Sequence, residues 1–150
     1  MATIDSIKQR NFRESDLPQI IEFKRKSNKV SFPGKKLDAD KFSERLLKCS
    51  ERSPECVQVL EKDGEVIGYI WFSCREGYNG KYGRVKQLFI EENSRRLKLA
   101  EALVGHAEKH LASIGAKSMR LAVTETNVPA IRFYGKMKYK KTRIIMEKRL

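Results

Sequence analysis

Apolar positions recur in blocks along the chain, and their period switches from two to nearly four and back. Ile4 to Asn11 predicts a first strand. Ser15 is placed to cap a helix reaching about Asn28, with Leu17, Ile20 and Ile21 as its apolar stripe. Pro18 falls in the first turn, where a missing N–H is tolerated. Ser31-Phe32-Pro33-Gly34 interrupts the pattern as a loop. Asp38 or Asp40 then caps a second helix, on which Phe42, Leu46 and Leu47 share a face.

Cys56 to Lys62 and Glu65 to Cys74 are rich in Val, Ile, Tyr, Trp and Phe and predict two strands. The Asp63-Gly64 pair between them is a strong hairpin signal. Gly77-Tyr78-Asn79-Gly80 predicts a second turn, followed by a strand from Tyr82 to Ile90. Leu99, Leu103, Ala107 and Leu111 then recur every four residues on a long helix that ends at Gly115. Lys117 to Thr124 predicts a further strand. Asn127 is placed to cap a helix through about Met137 with Pro129 in its first turn, and Tyr139 to Lys148 predicts one or two closing strands. The order β-α-α-β-β-β-α-β-α-β implies a mixed, mostly antiparallel sheet of six to seven strands in an α/β domain, with helices on both faces.

Composition narrows this little. The chain has 150 residues, 40% of them hydrophobic, enough for one domain, 1–150, that needs no disulfide or metal to hold it. The four prolines, at 18, 33, 54 and 129, mark no linker. No run of about 18 apolar residues offers a membrane span, and the first residues lack the pattern of a secretory signal. Cys49, Cys56 and Cys74 are odd in number and form no C-x-x-C pair, which points to a reducing, cytoplasmic setting. Lys and Arg number 32 against 19 Asp and Glu, a net charge of +13. That charge favours polyanions in general and chooses none of them.

Two segments carry candidate chemistry. From Leu88 to Leu103 the chain reads as a strand, a short basic turn and a helix. The first N–H groups of a helix lack internal partners and sit at its positive end, which suits a pyrophosphate. Arg95, Arg96 and Lys98 add charge there; a solvated basic helix start is the other reading. In the second segment, Asn127 stands between a strand and a helix, with Tyr134 two turns further on. A phenol of pKa near 10 is protonated at pH 7 and can donate a proton to a leaving thiolate of pKa about 8.5. Taken alone, Tyr134 also reads as a packing residue.

Together and in this order, the segments resemble the GNAT N-acetyltransferase superfamily, over most of the chain. Asp63-Gly64-Glu65-Val66-Ile67-Gly68-Tyr69 is similar to the family's hairpin of second and third strands. Arg95-Arg96-Leu97-Lys98-Leu99-Ala100 stands where its Gln/Arg-x-x-Gly-x-Gly/Ala turn belongs. Asn127 through Tyr139 resembles its Asn-x-x-Ala-x-x-x-Tyr-x-x-x-Gly-Phe signature. The resemblance implies that the strands ending near Ile90 and Thr124 splay apart to admit acetyl-CoA. Backbone at Phe89 and Ile90 would pair with the pantetheine arm. The amides from Arg95 to Ala100 would carry the pyrophosphate. Asn127 would hold the arm, Tyr134 would face the thioester sulfur, and Lys136 would meet a nucleotide phosphate. The implied reaction is direct attack of a primary amine on the acetyl group, with no acyl-enzyme.

Two positions depart from the pattern. Lys98 replaces the first motif glycine, and Lys138-Tyr139 replaces Gly-Phe; lysine enters the φ > 0 region less freely than glycine. Retained cofactor binding is expected, and a degenerate acyl-CoA binder without activity is the alternative. Glu125 and Glu76 are the candidate general bases, each equally readable as a solvated carboxylate. His106 and His110 share a helix face but lack the H-E-x-x-H order, so no metal is expected. Basic residues crowd Lys136 to Arg149, which keeps a nucleic-acid-binding module as a further reading, although nucleic acid is not the expected main partner. The loops Lys29 to Asp40 and Arg75 to Lys81 are basic and disfavour a strongly cationic acceptor. The resemblance also implies a homodimer in many relatives; no membrane partner is expected.

Overall fold

Five strands form one sheet in the order β1-β2-β3-β4-β5, in a computed structural model that describes residues 6–150, with Arg96 and Leu97 described by backbone alone. The strands are β1 Ile7–Asn11, β2 Val57–Lys62, β3 Glu65–Gly77, β4 Gly80–Ile90 and β5 Met119–Arg120. The helices are α1 Leu17–Ser31, α2 Ala39–Arg52, α3 Leu99–Ser113 and α4 Val128–Lys136. The expected strand start at Ile4 lies outside the described residues. β1 to β4 pair antiparallel, and β4 pairs β5 in parallel across α3.

Local chemistry sets most of these boundaries. Asp63 and Gly64 both take positive φ, 52° and 81°, the two-residue turn that matches the twist of β2 and β3. The Asp38 carboxylate accepts the Lys41 N–H at 3.1 Å and starts α2. Gly115, at φ 96°, ends the turn after α3. α1 departs from expectation: Ser15 lies in a 3-10 turn, and Asp16 holds the N-cap position without capping. The Asp16 carboxylate is instead engaged by the Arg13 N–H at 2.8 Å and by both terminal nitrogens of Arg10, each at 2.8 Å.

Alternation along β3 divides the core between the two faces of the sheet. Ile70 and Phe72, with Val85 and Ile90 of β4, pack on Leu99, Leu103, Ala107 and Leu111 of α3. Tyr69 and Trp71 pack on Ile20 and Phe23 of α1 and on Phe42 and Leu46 of α2.

Two strand expectations fail. The run Lys117 to Thr124 pairs only at Met119 and Arg120, opposite Gly83 and Arg84. Tyr139 to Lys148 forms no strand, so the sheet has five strands rather than six to seven. A β-prone segment becomes a strand only by pairing, and this one meets no continuous ladder beyond the short β5. Ile144, Ile145 and Met146 are accordingly 84%, 89% and 90% exposed.

Candidate active site

β4 and β5 run side by side for two rungs and then separate. Gly83 N–H donates to Ser118 O at 2.7 Å and Lys117 N–H to Lys81 O at 2.9 Å, but no residue from 85 to 90 pairs with β5. This leaves a fork after Arg84 and Arg120. Both strands feed helices at the same end, α3 after β4 and α4 after β5. A crevice outside the carboxyl ends of parallel strands, flanked by helix N-termini, is a natural ligand site.

The expected cofactor segment lines one side. Glu92–Leu97 is a 3-10 turn rather than an open loop, and it places Arg95, Arg96 and Leu97 ahead of α3. Lys98 takes φ 58°, ψ 26°, the left-handed conformation that glycine would supply, and its side chain is exposed. No side chain caps α3, and its first turn closes at Ala102 N–H to Lys98 O, at 3.3 Å. The amides of Leu99 and Ala100 lie ahead of that bond, at the positive end of a 15-residue helix. Arg95 is held back toward β4. Its Nε donates to Ile90 O at 2.9 Å, and its guanidinium carbon lies 5.6 Å from the centre of the Phe89 ring. The structure therefore brings Phe89, Ile90 and Arg95 together. The side chains of Arg96 and Leu97 lie outside the described residues.

The other side is α4. Asn127 caps it, its Oδ1 accepting the Ala130 N–H at 3.4 Å, so its amide NH₂ remains to donate. Tyr134 packs against the α3 face of the core, with Phe133 and Tyr139 at 5.0 and 5.4 Å between ring centres. Its hydroxyl bonds to no described residue, and burial pushes its pKa up to about 12. Lys138, at φ 73°, reverses the chain after α4 and lets the Tyr139 N–H reach Tyr134 O at 2.9 Å. Burial, with Glu108 nearby, also pushes the Tyr139 phenol up. Lys136 is exposed in the last turn of α4.

The two candidate bases are not brought together. Glu125 is exposed in the turn before Asn127. Glu76 is exposed opposite Lys81 at the far end of the β3–β4 hairpin. That is eight positions from Phe89, about 27 Å along β4. His106 and His110 stack with ring centres 6.5 Å apart, both edge-on to Phe72, and the described residues include no metal-holding group of three His, Cys, Asp or Glu. Cys49, Cys56 and Cys74 carry free thiols, and burial pushes Cys56 up to about 11.

A model of the acetyltransferase (GNAT) family matches residues 17–139, which span the fork, the α3 N-terminus and α4. The chain belongs to the GNAT acetyltransferase family. An N-alpha-acetyltransferase of Sulfurisphaera tokodaii is 30% identical over 145 residues, covering 91% of this chain and 81% of the relative. An uncharacterised N-acetyltransferase of Methanocaldococcus jannaschii is 28% identical over 137 residues, covering 91% and 80%. The crystal structure of a possible acetyltransferase from Clostridium difficile 630 superposes with a TM-score of 0.74 at 20% identity, over 96% of this chain and 97% of that one.

This acetyltransferase contains two site features with little sequence signal. A Cβ on Gly68 would meet Phe89 O at 2.8 Å and Ile90 Cδ1 at 2.7 Å, so Gly68 lets β3 lie close against the cofactor segment. Lys86 is an extra residue in β4: Trp71 lies opposite Gln87 and Phe72 opposite Val85, leaving Lys86 unopposed in a bulge just past the fork. A glycine inside a strand was the available sign of the first; the second shows only once the strands are paired.

Proposed function

We propose that residues 1–150 act as one domain that transfers an acetyl group from acetyl-CoA to a primary amine. The observation that carries this reading is the uncapped α3 N-terminus, opened by the left-handed Lys98, at the end of an unpaired β4 edge. Those residues fit the cofactor. The amides of Leu99 and Ala100 take the pyrophosphate, with Arg95, Arg96 and Leu97 in the turn before them. The β4 backbone at Phe89 and Ile90 takes the amide-rich arm, and Lys136 meets a nucleotide phosphate. The Asn127 amide NH₂, left over by its cap, faces the same task. Acetyl-CoA supplies an acetyl thioester, on which the amine acts directly.

Tyr134 serves the departing sulfur. With its pKa raised to about 12, it stays a donor over the whole working range. A thiol of pKa about 8.5 is the stronger acid, so full transfer from Tyr134 to the thiolate is uphill. Its contribution is a hydrogen bond to developing charge rather than a completed proton transfer. Glu125, beside the α4 cap, takes the proton of the acceptor ammonium. The relative named N-alpha-acetyltransferase supports an α-amine as acceptor. Three free thiols support a reducing, cytoplasmic setting.

Titration calorimetry with acetyl-CoA, followed by a thiol-release assay over a panel of amines, tests the reading. One-site binding with turnover upholds it. Binding without turnover leaves an acyl-CoA binder. No binding overturns it and makes nucleic acid the next ligand to examine.

A further inference from the structure

The sheet face turned away from α3 carries a cluster of cations just at the fork. Trp71 marks this face, packed edge-on to Phe42 of α2 at 5.8 Å. Lys86 lies over the Trp71 ring with its ammonium 4.9 Å from the ring centre. Arg84 lies opposite Ser73, and Arg75 follows two residues after Ser73 on the same face of β3. Arg120 lies opposite Arg84 at the last paired rung of β4 and β5, with its guanidinium carbon 4.0 Å from the centre of the Tyr82 ring. Arg45 approaches from α2, near enough for Arg45, Arg75 and Arg84 all to act on Lys86.

Nothing in the described chain neutralises this group. Arg45, Arg75, Arg84 and Lys86 form no ion pair among the described residues. Two donors beneath them are also unspent. Trp71 is 4% exposed, and its indole N–H is buried without a partner; the Ser73 hydroxyl is likewise buried and unpartnered. Desolvation, then repulsion from Arg75, Arg45 and Arg84, holds the Lys86 ammonium below its ordinary pKa, with Cys49 acting in the opposite sense. Like charges gathered over unsatisfied donors make a site for an oxyanion.

We propose that this patch recognises the acceptor: the substrate is an amine that carries a carboxylate or phosphate near its amino group. The anion rests among Arg45, Arg75, Arg84 and Lys86, and the amine then points into the fork, where the acetyl group arrives. The position of the acetyl group rests on the acetyl-transfer reading; the anion site itself does not. An acidic peptide N-terminus and an amino-sugar phosphate share this chemistry, and the experiment separates them.

Trp71 is the only tryptophan in the chain, so its fluorescence reports on the patch directly. The full-length protein is titrated without acetyl-CoA with an acidic hexapeptide, its Gln/Asn counterpart, an amino-sugar phosphate and the parent amino sugar. The same four acceptors are then compared by kcat/KM, for wild type and for the exposed-site variants Arg75→Gln and Arg84→Gln. The acidic acceptors are expected to change Trp71 emission and to exceed their neutral counterparts in kcat/KM by about tenfold or more. Each variant is expected to reduce that ratio about tenfold with acetyl-CoA affinity unchanged. The acid with the larger response is the source class. Equal kcat/KM for acidic and neutral acceptors, with both variants at wild-type values, overturns the proposal. A Trp71 response without turnover of any amine upholds the anion site and overturns the transferase reading instead.

Discussion

Tyr139 lies edge-on against Tyr134, with ring centres 5.4 Å apart and planes at 68°. The contact exists because Lys138 adopts the left-handed turn that returns the chain over α4. It fixes the phenol of Tyr134 from behind, so the hydroxyl is positioned by packing rather than by a hydrogen-bond partner. Tyr134→Phe keeps the packing and removes only the donor. We expect kcat to fall by about a hundredfold, with acetyl-CoA affinity and melting temperature unchanged. Because its pKa lies near 12, Tyr134 should add no alkaline limb to the kcat profile below about pH 11. Steady-state kinetics between pH 6 and 10 and a thermal melt check both statements.

Lys98 and Lys138 occupy left-handed backbone, at φ 58° and 73°. A side chain there costs about 1 kcal/mol, partly offset by the freedom glycine adds to the unfolded chain. Lys98→Gly and Lys138→Gly should each raise stability by about 0.5 kcal/mol in urea unfolding. Since the backbone already has the shape glycine would give, Lys98→Gly should change acetyl-CoA affinity by no more than about threefold, the worth of one exposed charge. A gain beyond tenfold would mean that the lysine side chain obstructs the phosphate site.

Gly68 and Gly83 separate fold from function. A Cβ on Gly83 would overlap the Leu111 side chain, inside the α3 interface. One on Gly68 would strike the backbone of Phe89. Both alanine variants should lose about 1–3 kcal/mol. Only Gly68→Ala should also weaken acetyl-CoA binding, by about tenfold, because it displaces the strand end proposed to receive the cofactor arm. Urea unfolding and calorimetry on the two variants make the comparison.

Asp16 is 5% exposed and holds Arg10 through two bonds of 2.8 Å. Burial alone would raise its pKa; the bonds from Arg10 and from the Arg13 N–H outweigh burial and bring it below the ordinary 3.8. A depressed folded pKa stabilises the protein above the unfolded value, and the gain vanishes as pH falls below 3.8 and through the folded pKa. Asp16→Asn should therefore cost about 2–3 kcal/mol at pH 7 and progressively less in acid. Urea midpoints of both proteins at pH 7 and pH 3 test the sign.

Much of the frame was legible because local chemistry and the tertiary fold agree. Asp63-Gly64 demanded a tight hairpin, the four-residue spacing from Leu99 to Leu111 demanded α3, and Asn127 caps α4 as its side chain allows. Disagreement between levels hid the rest. Lysine at 98 and 138 does not itself signal positive φ; only the resemblance, which has glycine at both positions, pointed to it, and the surrounding chain imposes it. The Lys86 bulge depends on counting β4 against β3, which neither strand reveals alone. Residues 139–148 have the composition of a strand, but pairing, not propensity, makes one. The cysteines are well separated along the chain, yet Cys49 and Cys74 both act electrostatically on Cys56. The proposed acceptor face was hardest to see, because Arg45, Trp71, Arg84, Lys86 and Arg120 come from four different elements.

The fork has a fixed depth. Six residues of β4, 85–90, are free of β5, and the last rung before them pairs Arg84 with Arg120. Six strand residues span about 20 Å. If the phosphates sit at the α3 N-terminus as proposed, the crotch of the fork would gauge acyl length. An acetyl group would then end before the closed rung, whereas each added methylene would push against hydrogen-bonded backbone. On that reading, chain-length selectivity would be set by where two strands stop touching, not by the bulk of any one side chain.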